Sequence, residues 1–266
     1  MAETPQREFK PDVAHNARVW NYWLGGKDNF PADRVVGDQV RDMFPAIVDV
    51  ARADREFLGR AVHHLAGEAG MWQFLDIGTG LPTADNTHEV AQRVNPRARI
   101  VYVDNDPLVL VHARALLTGT EEGATDYIDA DLDDPDTILR EARRTLDFSQ
   151  PVVIMLLGVV NFISDTDEAR RIVKRLLEAV PSGSYLALTH PTMDIGGGSN
   201  AEALDFYNAH ATPQITARGE AELSGFLDGL ELLEPGLTSC SLWRAEETPF
   251  GPPEPVAQYG VVARKP

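Results

Sequence analysis

Cysteine is nearly absent from this chain: its 266 residues include one, Cys240. That excludes an intramolecular disulfide and a thiolate metal cluster, and it fits a reducing compartment, so a cytoplasmic location is expected. Long apolar runs are missing too. The longest, "PVVIMLLGVVNFI", falls short of the roughly 20 apolar residues that a bilayer-spanning helix needs. The first stretch, "MAETPQREFKPD", is polar and acidic, unlike a signal peptide or an Arg-rich transit peptide. Positive charge is scarce: 24 Lys and Arg stand against 41 Asp and Glu, for a net charge of -17. Such a surface repels phosphate backbones, and its cations are scattered along the chain. Neither nucleic acid nor an anionic membrane is therefore expected as a partner.

Several catalytic signatures are missing as well. There is no HExxH, no paired Cys and no clustered Asp–His spacing, and His63, His64, His88, His112 and His210 form no ligand pattern, so no metal is expected. No GxSxG elbow supports Ser-His-Asp hydrolysis.

What is present is a change of rhythm near residue 70. Before it, amphipathic segments such as "PADRVVGDQVRDMF" and "DVARADREFLGRAVHHLAGEAG" predict helices, with residues 1–14 disordered or loosely draped. After it, strand and helix alternate through five rounds, from "WQFLDIG" to "SYLALTH", which signals an open parallel sheet covered on both faces. The tail then supplies helices, "AEALDFYNA" and "GEAELSGFLDG", and two closing strands, "LELLEPGL" and "QYGVVARK". A parallel core closed by a hairpin-like pair is the order of a class I methyltransferase sheet. The expected fold is thus α/β and Rossmann-like, with a seven-stranded, mostly parallel sheet. Residues 1–70 are expected to form a helical extension or lid packed on a core of 71–266, with a helical insertion at about 193–229.

In open α/β sheets ligands bind beyond the carboxyl ends of the strands. Three successive strand ends here carry groups suited to a nucleoside. In "LDIGTGLPT", Asp76 lies in the strand, Gly78 and Gly80 admit close backbone approach, and Thr83 is expected to open a helix with free N–H groups. In "VYVDNDP", Asp104 ends a strand and can accept both ribose hydroxyls, with Asn105 beside it. In "DADLDDP", Asp131 can accept from an adenine amine while the Leu132 N–H donates to a ring nitrogen. Each motif alone would also suit an ordinary turn; their order and spacing together suit one pocket. A dinucleotide fingerprint would place Gly at position 83, where Thr83 stands.

These segments, together with "YWLGGKDNFPAD" and "LEPGL" followed by Trp243, resemble the actinobacterial S-adenosyl methyltransferase family, formerly a domain of unknown function, over nearly the whole chain. The resemblance implies a class I methyltransferase fold that binds S-adenosyl-L-methionine, giving S-adenosyl-L-homocysteine. It assigns cofactor roles to Asp76, Gly78, Gly80, Asp104 and Asp131. It supplies no acceptor, and Asn161 stands where related sequences often carry His. A catalytic role at that position would not transfer unchanged.

The stretch "WNYWLGGKDNF" then reads as part of a lid over the cofactor. Tyr22 or Trp23 would wall the pocket, Gly25 and Gly26 would turn closely over the ligand, and Lys27, Asp28 or Asn29 would meet the amino-acid end. Trp20 and Phe30 suit docking on the core. At the ends of the fourth and fifth strands Asn161 and His190 are the candidate catalytic residues, His190 by its position and ordinary pKa. Tyr207 and Arg218 could shape an acceptor pocket. The Asn/Asp-Pro-Pro-aromatic signature of many DNA and protein amino-methyltransferases is missing, which favours a small-molecule acceptor. Two alternatives stand beside a small-molecule methyltransferase: a non-catalytic cofactor-binding regulator and an NAD-dependent oxidoreductase.

Overall fold

The computed structural model describes residues 10–83, 85–116, 119–246, 249 and 251–266. The loose draping expected of residues 1–14 therefore falls largely outside the described residues. A two-residue strand β1 (Ala14–His15) leads into α1 (Asn16–Trp23), α2 (Pro31–Met43) and α3 (Ile47–Gly67). The alternating unit follows: β2 (Gln73–Ile77), α4 (Thr87–Val94), β3 (Arg99–Asp104), α5 (Pro107–Leu116), β4 (Ala124–Asp129) and α6 (Pro135–Ala142). It continues with β5 (Val153–Leu157), α7 (Thr166–Glu178) and β6 (Tyr185–Pro191). The tail adds α8 (Gly197–His210), β7 (Ala211–Thr212), α9 (Glu220–Ser224), β8 (Glu231–Leu232), β9 (Thr238–Ser239) and β10 (Gln258–Arg264).

The large sheet has the order β4-β3-β2-β5-β6-β10-β8, parallel from β4 to β6 and antiparallel where β10 enters. This is the Rossmann-like class I methyltransferase arrangement, with β10 reversed and inserted between β6 and β8. Among the described residues the sheet has eight strands rather than seven, because β9 also pairs with β10. The expected strand over 230–237 keeps only Glu231–Leu232. Pro235 has no N–H for a ladder, and the Gly236 N–H turns back to the Leu233 carbonyl, so the chain leaves the edge and rejoins it as β9.

Burial on both faces explains why the central strands read as unbroken apolar runs. On one face Leu75, Val101 and Ile154 pack with Ile138 of α6 and Val173 of α7. On the other, Phe74 and Ile100 pack with Phe57 and Leu65 of α3, so this long helix of the extension covers the sheet directly. α7 shows the local logic: Asp165 caps it by accepting the Glu168 N–H, and Ala169, Ile172, Val173 and Leu176 form its buried stripe.

A third cluster joins Val19, Trp23, Val36 and Phe44 of the extension to Ala203 and Tyr207 of α8. β1 pairs in parallel with β7, aligning Ala14 with Ala211, so the extension and the insertion form one cap. Asp33, fully buried, ties α1 to α2 by accepting from His15 N, Arg18 Nε and Phe30 N at 3.0, 2.9 and 2.8 Å. None of the described helices is long and apolar enough to cross a membrane.

Candidate functional site

The cap and the carboxyl ends of the strands enclose a cavity of about 550 Å³. Its floor starts with the turn after β2. Gly78 has φ +77, and a Cβ there would lie 2.4 Å from Val159 Cγ2, so this position accepts only glycine without displacement. Gly80, at φ +66, faces open space, and its N–H donates to Asp104 Oδ2 at 2.8 Å. The helix after this turn begins at Thr87 rather than Thr83. Asn86 and Glu89 form its capping box, and the Thr83 N–H donates to Asn86 Oδ1 at 3.2 Å instead of opening the helix.

Asp76 accepts from Thr87 Oγ1 at 2.6 Å. Burial, with the nearby Asp104 charge, pushes its carboxyl up to about 6, against the opposing pull of Thr87 and Arg55. Arg55 reaches Asn86 Oδ1 at 3.1 Å and faces Asp76 electrostatically. Next along the sheet, Asp104 Oδ1 accepts the N–H groups of Asn105 and Asp106 at 2.8 and 2.9 Å. Burial raises its pKa, while those N–H groups and that of Gly80 hold it back. Asn105 Nδ2 donates to Asp131 Oδ2 at 2.7 Å, which brings the second and third strand ends into one wall with Leu132.

The structure thus brings Asp76, Gly78, Gly80, Thr83, Asp104, Asn105, Asp131, Leu132 and Asn161 around one cavity. Tyr22, Gly26 and Asn29 do not line it. Tyr22 Oη donates outward to Asp38 at 2.7 Å. Asn29 donates to Asn21 Oδ1 and to the Gly26 carbonyl, both at 3.0 Å, and a Cβ on Gly26 would strike the Asn21 side chain. The Gly-Gly-Lys-Asp-Asn piece is therefore a turn wrapped around Asn21. The part of the segment that walls the cavity is Trp20, Asn21, Trp23 and Leu24.

His190 is also turned away. It is fully buried, with Nδ1 at 2.9 Å from the Pro191 carbonyl and Nε2 at 3.0 Å from Arg218 Nη1. Burial, with the Arg218 charge, lowers its pKa to about 4, so the ring is neutral, donating from Nδ1 and accepting at Nε2. Arg218 also donates to the carbonyls of Val160, Ile163 and Ser164 and to Thr166 Oγ1, fixing the loop that carries Asn161. Tyr207 does line the cavity, with its hydroxyl donating to Asn16 Oδ1 at 3.1 Å.

Further lining residues that no motif marks include His15, Asp54, Arg55 and Gln258. His15 Nδ1 lies 2.9 Å from Asp106 Oδ2. Burial alone would raise the Asp106 pKa, but the adjacent His15, the Leu108 N–H and Arg18 bring it below the usual value. Asp54 carried a readable signal, since it falls on the buried Val50–Phe57–Ala61 stripe of α3 where an acid is out of place.

The profile of the S-adenosyl methyltransferase family matches residues 2–266. A crystal structure of a DUF574 family protein from Streptomyces avermitilis is similar at 45% identity and a TM-score of 0.92, covering 97% of this chain and 100% of that one. A Thermobifida fusca protein, provisionally described as a methyltransferase, is similar at 39% identity and a TM-score of 0.85, with 96% of each chain covered. An O-methyltransferase family protein from Burkholderia thailandensis shares the fold at 15% identity and a TM-score of 0.55, covering 82% of this chain and 57% of that one. No curated protein matches. The chain belongs to the S-adenosyl methyltransferase family.

Proposed function

We propose that this chain binds S-adenosyl-L-methionine and transfers its methyl group to a small molecule held under the cap. The observation that carries this reading is a single cavity running from the Asp104–Asn105–Asp131 wall to the apolar cap surface of Trp20, Phe44, Leu204 and Tyr207. Its volume falls within the roughly 300–1,000 Å³ typical of small-molecule sites. The residues fit the cofactor. Asp104 would take the ribose hydroxyls, while Asp131 and the Leu132 N–H would read adenine. The open face of Gly80 leaves room for a ligand against the backbone, and Asp76 with Arg55 offers both charges to an amino-acid end.

The bound cofactor supplies a methyl group on a positively charged sulfur, a strong electrophile that needs alignment with its acceptor more than acid–base help. The chain's own contribution is to hold the two molecules together and keep water out, which the aromatic cap is built to do. A non-catalytic binding role is the second reading, favoured by His190, whose buried pairing with Arg218 removes the nearest base candidate. NAD is disfavoured because Thr83 replaces the third glycine and the terminal strand pair is antiparallel.

Calorimetric titration with S-adenosylmethionine, S-adenosylhomocysteine and NAD, repeated on Asp104→Ala, tests this reading. Binding of the two sulfur ligands alone, lost in the variant, supports it; a preference for NAD, or no sulfur-ligand binding, overturns it. Release of S-adenosylhomocysteine during turnover with an acceptor separates the enzyme from the silent binder.

A further inference from the structure

The cofactor reading uses Asp76, Asp104 and Asp131 and leaves another buried acid of the cavity, Asp54, without a task. It is 9% exposed, and Oδ1 accepts from Gln258 Nε2 at 2.8 Å, while the same amide reaches Thr189 Oγ1 at 3.3 Å. Strand order locates this group. Asp131 lies just beyond β4, Asp104 ends β3 and Asp76 lies in β2, so the proposed cofactor contacts lie on one side of the point where the chain reverses between β2 and β5. Asp54 lies on the other side. Thr189 belongs to β6, and Gln258 Nε2 is 3.7 Å from the place a Cβ on Gly158, just beyond β5, would occupy. The half of the cavity at the ends of β5 and β6 is therefore where an acceptor has room.

The wall there is otherwise apolar: Phe44, Val50, Leu58, Met193, Leu204 and Ile215 surround it. Two of its polar groups are placed to accept hydrogen bonds, while the Gln258 amide N–H groups are already directed to Asp54 and Thr189. Asn161, 3% exposed on the cavity wall, has a buried Oδ1 with no donor. Asp54 is a carboxylate whose nearby positive charge is the adjoining Arg55, and Arg55 is directed to Asn86 and Asp76 on the cofactor side. No lysine is among the described residues lining the cavity. A carboxylate or phosphate acceptor would meet the Asp54 charge with only the diverted Arg55 as cation, and a plain hydrocarbon would leave Asn161 Oδ1 unmatched, at a desolvation cost.

We propose, resting on the cofactor reading above, that the methyl acceptor is an amine on an apolar body, anchored through its nitrogen by Asp54 and Asn161. For transfer, the ammonium proton passes to Asp54, the freed nitrogen lone pair forms the new N–C bond as the methyl–sulfur bond breaks, and S-adenosylhomocysteine leaves. Burial shifts the Asp54 pKa upward, the direction that suits a proton acceptor.

The test uses the full chain saturated with S-adenosylhomocysteine and three probes of similar size: 2-phenylethylamine, 2-phenylethanol and 3-phenylpropanoate. Calorimetric titration is expected to show the amine binding about tenfold or more tightly than either other probe. In Asp54→Asn, which keeps a partner for Gln258, the amine is expected to lose about tenfold in affinity while S-adenosylhomocysteine binds within about twofold of wild type. The wild-type comparison of probes stands even if the variant does not fold. The proposal is overturned if the alcohol or the carboxylate binds as tightly as the amine, or if none of the probes binds. It is equally overturned if Asp54→Asn weakens S-adenosylhomocysteine as much as the amine, since Asp54 would then serve the cofactor. If wild type fails to bind S-adenosylhomocysteine, the cofactor reading itself fails, and this inference falls with it.

Discussion

His190 Nε2 accepts from Arg218 Nη1 at 3.0 Å, behind the cavity wall and closed to solvent. Arg218 in turn grips three carbonyls of the loop after β5, so the pair holds Asn161 in place from behind. The histidine must be neutral to accept that bond, and its pKa is lowered to about 4 from 6.5. The unfolded chain therefore gains a proton near pH 6.5 while the folded one resists until about 4. The stability this group contributes is full above pH 6.5 and is lost as pH falls toward 4, a change of about 3 kcal/mol. Denaturant unfolding of wild type and His190→Gln across this range should show their stability difference shrinking by about that amount on acidification. S-adenosylhomocysteine affinity near neutral pH should hardly differ between them. A tenfold loss would return His190 to the binding site.

Asp76 has the opposite sign. Its folded pKa, about 6, lies above the ordinary 3.8, so the folded state binds its proton more tightly. This group's contribution to stability is present below pH 3.8 and is lost as pH rises through about 6, again by about 3 kcal/mol. Between pH 4 and 6 the slopes from Asp76 and His190 largely cancel in wild type, and the single variants separate them. A positively charged cofactor group beside Asp76 should favour its ionised form. Affinity for S-adenosylhomocysteine should then rise as pH increases through about 6, with proton release, and Asp76→Asn should flatten the rise. Titrations in buffers of different ionisation enthalpy measure the released proton directly; equal heats in all buffers would contradict this account.

The two glycines of the β2 turn differ in what a methyl group would meet. At Gly78 an added Cβ strikes Val159 and the backbone is left-handed, so Gly78→Ala combines crowding with conformational strain and should cost about 2–5 kcal/mol. At Gly80 space is open, so Gly80→Ala should cost about 1–2 kcal/mol from conformation alone. Equal destabilisation of the two variants in urea unfolding would show that the contact with Val159 carries no weight.

Much of this architecture is legible in the sequence because its signals are local. Strand–helix alternation, Gly78 just after a buried strand, Asp104 at the close of "RIVYVD" and the Asp134 and Asp165 caps depend on residues a few positions apart. The helix start at Thr87 is masked by the apparent start at Thr83, because the Asn86–Glu89 capping box competes for the same turn. The cap was less readable. "GGKDNF" looks like a ligand loop, yet Asn29 and the Asp28 N–H are taken up by Asn21 and Arg34, partners that only the folded turn reveals. His190 and Arg218 lie 28 residues apart, and neither burial nor their bond shows in the pattern around either. Asp54 could have been read from its place on an apolar stripe, but its neighbour Gln258 lies 204 residues away.

That cap gives the last prediction. Asp33 is 0% exposed and accepts from Arg18, 3% exposed, as well as from two backbone N–H groups. Removing one member of a buried ion pair costs about 3–5 kcal/mol, because the remaining charge stays in a poor solvent. The central sheet does not depend on this pair: its two apolar faces are filled by α3, α4, α6 and α7. Asp33→Ala should therefore loosen α1 and α2 locally while the sheet stays folded. Hydrogen exchange should accelerate in residues 16–43 and remain slow in β2, β3 and β5, and ligand affinity should fall as the cavity loses its cover. Arg18→Met added to Asp33→Ala removes the stranded charge and should recover part of the protection. Uniform acceleration across cap and sheet in the single variant would show instead that the cap and the core unfold as one unit.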